Sequence, residues 1–133
     1  MTYAVEFEEG APAKEFAAAD DCLALAHRLH ESASPDRPLG AYFHRPDGES
    51  LFIVLGAEVS GMGWFPANYS DTGVGSLSSG ANVELDEPLD YWLCGHHSQV
   101  CPENAVTITT MFSALEQFLR DGGQPSANNW VAD

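Results

Sequence analysis

Apolar and polar residues alternate from Thr2 to Glu8, with Tyr3, Val5 and Phe7 on one side and Ala4, Glu6 and Glu8 on the other. A period of two predicts a half-buried strand. After the break at Glu9-Gly10-Ala11-Pro12 the spacing lengthens, and Leu23, Ala26, Leu29 and His30 form one stripe of a helix over roughly Ala18 to Glu31. Asp20 and Asp21 at its start and His27, Arg28 and His30 towards its end suit the helix dipole. A Ser/Pro-rich loop, Ser32 to Pro38, follows.

Leu39 to His44 then reads as a strand and Arg45-Pro46-Asp47-Gly48 as a tight turn. Ser50 to Gly56 is apolar without alternation (Leu51-Phe52-Ile53-Val54-Leu55), which predicts a central strand covered on both faces. Gly61 to Pro66 makes a further strand. Asn68 to Gly80 mixes loop with a short strand around Val74 to Leu77. In Pro88 to Cys94, Leu89, Tyr91 and Leu93 oppose Asp90, Trp92 and Cys94, and Asn104 to Ile108 is another short strand. Thr109 or Thr110 is placed to cap a last helix with Met111, Phe112, Leu115, Phe118 and Leu119 on its apolar face. Gly122, Gly123 and Pro125 stop that helix, and Asn129 to Val131 adds an edge strand. The sum is α+β: an antiparallel sheet of about five to seven strands with two main helices packed on it.

Length changes this picture little. The 133 residues fit a single domain spanning 1–133. At 44% hydrophobic and 11% aromatic, they supply a core without the signature of disorder. Charge changes it more. Five Lys+Arg against 20 Asp+Glu leave a net of −15. So few cations cannot build a footprint on phosphate backbones or an anionic membrane, so neither nucleic acid nor membrane is expected as a direct partner. The distribution is uneven: no Lys or Arg falls between Arg45 and Arg120, a stretch that holds ten acids. Such a surface steers towards basic partners, and an acidic proteome gives the same total.

The N-terminus has neither a basic n-region nor an apolar h-region, and no apolar run approaches the ~20 residues a membrane span needs. The expectation is a cytoplasmic protein with its thiols reduced. Of the three cysteines, two frame Cys94-Gly-His96-His97-Ser-Gln-Val-Cys101, which packs four zinc-type donors into eight residues. A structural zinc site pairs C-x₂-C with a distant second pair, and that half is missing. A thiolate nucleophile needs an electropositive setting, which this segment does not offer. It reads as a strand-ending loop. With no nucleophile elbow, P-loop or dinucleotide fingerprint present, no catalytic residue, metal or cofactor is expected.

Two segments fit an interface instead. Glu84 to Trp92 carries Glu84, Asp86, Glu87 and Asp90 beside Tyr91 and Trp92, and Trp64, Phe65 and Tyr69 stand near Asp71. Aromatic anchors ringed by acids give affinity and steering, although Tyr91 and Trp64 fit a core equally well.

The order of elements resembles the Imm1 family of bacterial immunity proteins. The likeness is carried by Leu23 and Leu29 in the first helix and by Pro38-Leu-Gly-Ala-Tyr-Phe. It continues through Pro46-Asp-Gly-Glu-Ser-Leu-Phe-Ile-Val-Leu-Gly56, Trp64-Phe65 and Ser79-Gly80. It ends in Phe118-Leu-Arg-Asp-Gly122-Gly-Gln-Pro125 closed by Trp130. The resemblance implies an antitoxin, not an enzyme: a protein that binds a cognate polymorphic toxin, often a nucleic-acid-targeting enzyme such as a cytidine-deaminase-like domain. A toxin acting on DNA or RNA has a basic cleft, which an acidic protein can occlude. The candidate toxin-binding residues are Trp64, Asp71, Asp86, Glu87, Asp90 and Trp92. The alternatives are a small Cys/His-dependent or metal-binding enzyme, and a regulatory interaction module unrelated to toxins.

Overall fold

A computed structural model describes residues 2–34, 36–69, 75–126 and 128–132. The described elements run β1 (Tyr3–Glu6), β2 (Lys14–Phe16), α1 (Ala19–Ser32), β3 (Leu39–His44), β4 (Ser50–Leu55), β5 (Val59–Phe65), β6 (Leu77–Ser79), β7 (Leu89–Leu93), β8 (His96–Val100), β9 (Ala105–Thr107), α2 (Ile108–Asp121) and β10 (Trp130–Ala132). The class is α+β, as expected, with more strands than the sequence pattern suggests. The main path is β10-β6-β5-β4-β3-β1-β2, and pairing is antiparallel apart from one parallel bridge, Leu39 to Trp92, that joins β7 to β3. No helix among the described residues is long and apolar enough to cross a membrane.

The apolar run Leu51 to Leu55 behaves as its composition demands. β4 sits between β3 and β5 and is buried on both faces. Leu51, Ile53 and Leu55 join Val5, Ala41, Phe43, Met62 and Trp64 under α1 and α2, while Phe52 and Val54 point the other way, towards β7 and β8. The sheet therefore has a helix-covered face and a second face covered in part by the β7–β8 hairpin.

That hairpin corrects the Cys/His reading. His96 to Val100 is a strand, not a loop, registered against β7 from Leu93↔His96 to Leu89↔Val100. Its turn is Cys94-Gly95, with φ of 49° and 82° at the two residues. Positive φ at both central positions is the two-residue turn whose twist matches paired strands. Cysteine rarely takes this conformation, so no Asn-Gly signal marked the turn. Two glycines let the hairpin press down. A Cβ on Gly40 would lie 2.9 Å from the Tyr91 ring, and one on Gly61 would lie 2.5 Å from Cγ1 of Val100.

β5 changes partner along its length. Val59 to Gly61 pair with β9, whereas Gly63 and Trp64 pair with β6. At the changeover the buried Ser79 hydroxyl accepts from the Met62 N–H (3.0 Å) and donates to the Asn104 carbonyl (2.7 Å). Ser60 does similar work on the other side, accepting from the N–H of Val54 (3.1 Å) and donating to its carbonyl (2.8 Å). The expected short strand at Val74 to Leu77 is placed instead at Leu77–Ser79, and 70–74 fall outside the described residues.

The helices follow their apolar periods with two adjustments. In α1 the buried positions are Cys22, Leu25 and Ala26, with Leu23 and Leu29 on the flanks of the stripe. In α2 the cap is Thr107, not Thr109 or Thr110: its Oγ1 accepts from the Thr110 N–H, because β9 runs directly into the helix. Gly122 ends α2 as predicted, at φ 76°. Arg45, from the β3–β4 turn, donates through Nη1 to the carbonyls of Phe118 (3.0 Å) and Leu119 (2.7 Å) at that end. A cation on the terminal carbonyls of a helix adds to the bonds they accept from the Gly122 N–H and the Tyr3 hydroxyl and opposes the dipole.

Candidate functional site

The alternation of β7 divides its residues as the sequence predicts. Leu89, Tyr91 and Leu93 pack on the sheet, and Asp90 and Trp92 face outward. On the outer surface β8 sets His97 and Gln99 beside them. Asp90 Oδ1 accepts from Gln99 Nε2 (2.9 Å) and contacts His97 Nε2 (2.9 Å). Those hydrogen bonds, Gln99 first, hold the Asp90 carboxyl below its usual range. Trp92 lies between His97, 4.9 Å between ring centroids, and Arg37, whose guanidinium carbon is 4.7 Å from the Trp92 ring centroid. Asp86 and Glu87 are exposed just ahead of β7.

Four of the six candidate residues therefore belong to one stretch of surface: Asp86, Glu87, Asp90 and Trp92. Arg37 and His97 join them there, and neither was anticipated because they arrive from the α1–β3 loop and from the strand read as a loop. Trp64 does not belong. It is 9% exposed and packs in the helix-side core, away from the hairpin surface. Strand alternation decides this: Phe65, its neighbour, takes the opposite face. Asp71 lies outside the described residues.

The part of the second face that the hairpin leaves open is lined by rings. Tyr42, Phe52, Phe65 and Tyr91 surround a depression of about 230 Å³ floored by Gly61, Met62 and Gly63. Tyr42 and Phe65 also wall a second depression of about 230 Å³, with Glu6, His44, Ser50, Pro66 and Tyr69. The rings support one another. Tyr42 stands 5.8 Å from Phe65 and 5.2 Å from Phe52, and Phe65 meets Tyr69 edge-on at 4.9 Å. Burial raises the Tyr42 hydroxyl pKa, and Tyr91, Glu6, Tyr69 and Cys94 all push it the same way. Sequence reasoning brought together only Phe65 and Tyr69 of this groove, because β3, β4, β5 and β7 each contribute only a few of its residues.

At the mouth of the second depression His44 Nδ1 meets Ser50 Oγ at 2.7 Å, and its Nε2 meets Glu6 Oε1 at 3.3 Å. The order hydroxyl, imidazole, carboxylate is that of a nucleophile relay, but acyl transfer also needs donors for the oxyanion. The neighbouring N–H groups of Arg45, Gly48 and Glu49 are committed to Glu49 O, Arg45 O and Asp47 Oδ1. His44 and Ser50 are direct cross-strand partners, and pairing between β3 and β4 accounts for the contact.

Two of the three thiols, Cys22 and Cys94, are poorly set up for nucleophilic work. Burial pushes Cys22 up to about 11, and burial followed by Glu6 and Glu9 raises Cys94. Among the described residues no group of three or more His, Cys, Asp or Glu is gathered as a metal would require. No protein-family model matches the chain, and no curated protein matches it.

Proposed function

We propose that this chain is a binding module of the immunity-protein kind, which neutralises a protein toxin by occupying a basic cleft that would otherwise receive nucleic acid. The observation that carries the reading is the outer face of the β7–β8 hairpin. There Asp90 and Trp92 are held in place by His97, Gln99 and Arg37, next to exposed Asp86 and Glu87, in a chain of net charge −15. A preordered carboxylate beside a braced indole loses little side-chain freedom on binding, and the surrounding acids accelerate encounter with a cationic surface. The likeness to Imm1 supports the same role, and with it a cytoplasmic site of action beside the toxin's own gene.

The test is to mix the purified protein with the toxin domain encoded by the adjacent gene and to follow both binding and residual toxin activity. Reversing Asp86, Glu87 and Asp90 to lysine is expected to slow association by about tenfold or more at low salt, with the difference shrinking as salt rises. Association unchanged by the triple reversal would remove the hairpin from the interface.

A further inference from the structure

We infer that the aromatic groove on the open sheet face is a receptor for a cationic side chain, an arginine presented by the protein partner, with Glu6 as its counter-charge. This rests on the partner-binding reading for the source of the arginine. The groove itself rests on three observations.

First, its walls are aromatic rings packed on one another, Tyr42 5.8 Å from Phe65 and Phe65 4.9 Å from Tyr69, which offer ring surface to whatever enters. Tyr42, Phe65 and Tyr69 border the depression that also holds Glu6, and Tyr42 and Phe65 separate it from a second depression of equal volume. A guanidinium stacks on aromatic rings and pairs two N–H groups with one carboxylate, which an ammonium does less well.

Second, no Lys or Arg of the chain lines the groove, and His44 is the basic side chain beside Glu6. Lys14 pairs with Glu8 and sits over Phe7, and Arg37 sits over Trp92. Arg45 caps α2, and Arg120 binds Asp20 and Glu116. Arg28 lies on the exposed side of α1. The protein thus places a cation over an aromatic ring at three other points, while none of its five Lys and Arg residues lines this groove.

Third, the depression holds a carboxylate. Glu6 lines it and raises the pKa of both Tyr42 and Cys94. A cation entering here shares the Glu6 carboxylate with His44, whose Nε2 lies 3.3 Å from Oε1.

The experiment titrates ¹⁵N-labelled protein with the peptide acetyl-Gly-Arg-Gly-amide, and in parallel with the same peptide carrying citrulline, which is isosteric and uncharged. The arginyl peptide is expected to move the amide signals of Tyr42, Phe65 and Tyr69 saturably, with the citrulline peptide about tenfold weaker or worse. Glu6→Gln, at a half-exposed position on β1, is expected to weaken the arginyl peptide by about tenfold, the loss of one charge-assisted pairing. Tyr69→Ala tests the ring wall with the carboxylate kept. Equal binding of both peptides, shifts confined to residues 84–90, or no saturable shift in the groove would each overturn the inference. Toxin binding then separates the two ideas. Peptide binding in the groove without any toxin binding refutes the immunity reading and leaves the cation site. Toxin binding that neither Glu6→Gln nor Tyr69→Ala weakens refutes the groove and leaves the immunity reading.

Discussion

Trp64 and Trp92 illustrate how one residue type takes two roles according to the side of a strand it occupies. Trp64 packs in the core with Leu77 and Trp130 partly buried around it, whereas Trp92 rests on the surface between Arg37 and His97. Trp64→Ala is expected to cost about 3–5 kcal/mol by opening a core cavity. Trp92→Ala should cost less than about 1 kcal/mol, as a surface change does, while weakening partner binding. Urea unfolding of the two variants checks the pair. The two buried serines are a second case. Ser79→Ala strands the Met62 N–H and the Asn104 carbonyl at the point where β5 changes partner, and is expected to destabilise by about 1–3 kcal/mol. A midpoint within error of the parent chain would show that water replaces the hydroxyl. Neither Ser60 nor Ser79 could be singled out from sequence. A serine beside glycines and apolar residues reads the same whether its hydroxyl faces solvent or mends a ladder.

At the scale of elements, the two long helices meet through His27, stacked on Phe112 with 4.1 Å between ring centroids, and His30, edge-on to the same ring at 5.5 Å. His30 also ties α1 to the end of β4: its Nδ1 accepts from the Gly56 N–H at 2.9 Å, which requires an unprotonated nitrogen. Burial, then His27, lowers its pKa, with Glu31 opposing. Because the folded-state value lies below the ordinary one near 6.5, the unfolded chain takes up the proton first. The stability this tie contributes is therefore complete above about pH 6.5 and is lost as pH falls through the lower folded value. His30→Gln is expected to melt below the parent at pH 8, with the gap closing towards pH 5. Thermal scans across that range give the answer, and a gap independent of pH would contradict it.

Elements with strong periodicity were legible from the chain. β3 and β4 start where the pattern puts them, both helices occupy their predicted segments, and Gly122 ends α2. Those with weak patterns were not. β2 is three residues of mixed polarity. β8 is polar at four of five positions because its outer side faces solvent, and among the described residues it pairs with β7 alone. The hairpin surface was half legible: alternation placed Asp90 and Trp92 together, but Arg37 and His97 arrive by tertiary contact. The aromatic groove was legible only at Phe65 and Tyr69, since Tyr42, Phe52 and Tyr91 join them through contacts between strands.

For the whole molecule, charge acts on stability independently of packing. With a net of −15, the acids repel one another more in the compact state than in the expanded one. Screening that repulsion is expected to raise the melting temperature by several degrees between about 10 mM and 500 mM sodium chloride, a range that shortens the Debye length from ~30 Å to under 10 Å. The same salt should slow association with a basic partner. One titration thus reads opposite signs for folding and for binding, and a melting temperature that falls with salt would show that ion pairs such as Arg120 with Asp20 outweigh the repulsion.

The divided pairing of β5 also sets an order of events in time. β3, β4 and β5 are joined by short connections and can zip locally, but β5 receives β9 from far along the chain, as Val59 meeting Thr107 shows, and β6 receives β10 from its far end. Contacts closed over long loops form late. Amide hydrogen exchange should therefore find its slowest protons in β4 and the middle of β5 and its fastest strand protons in β10, so the C-terminal strand acts as a latch that opens well before the sheet comes apart.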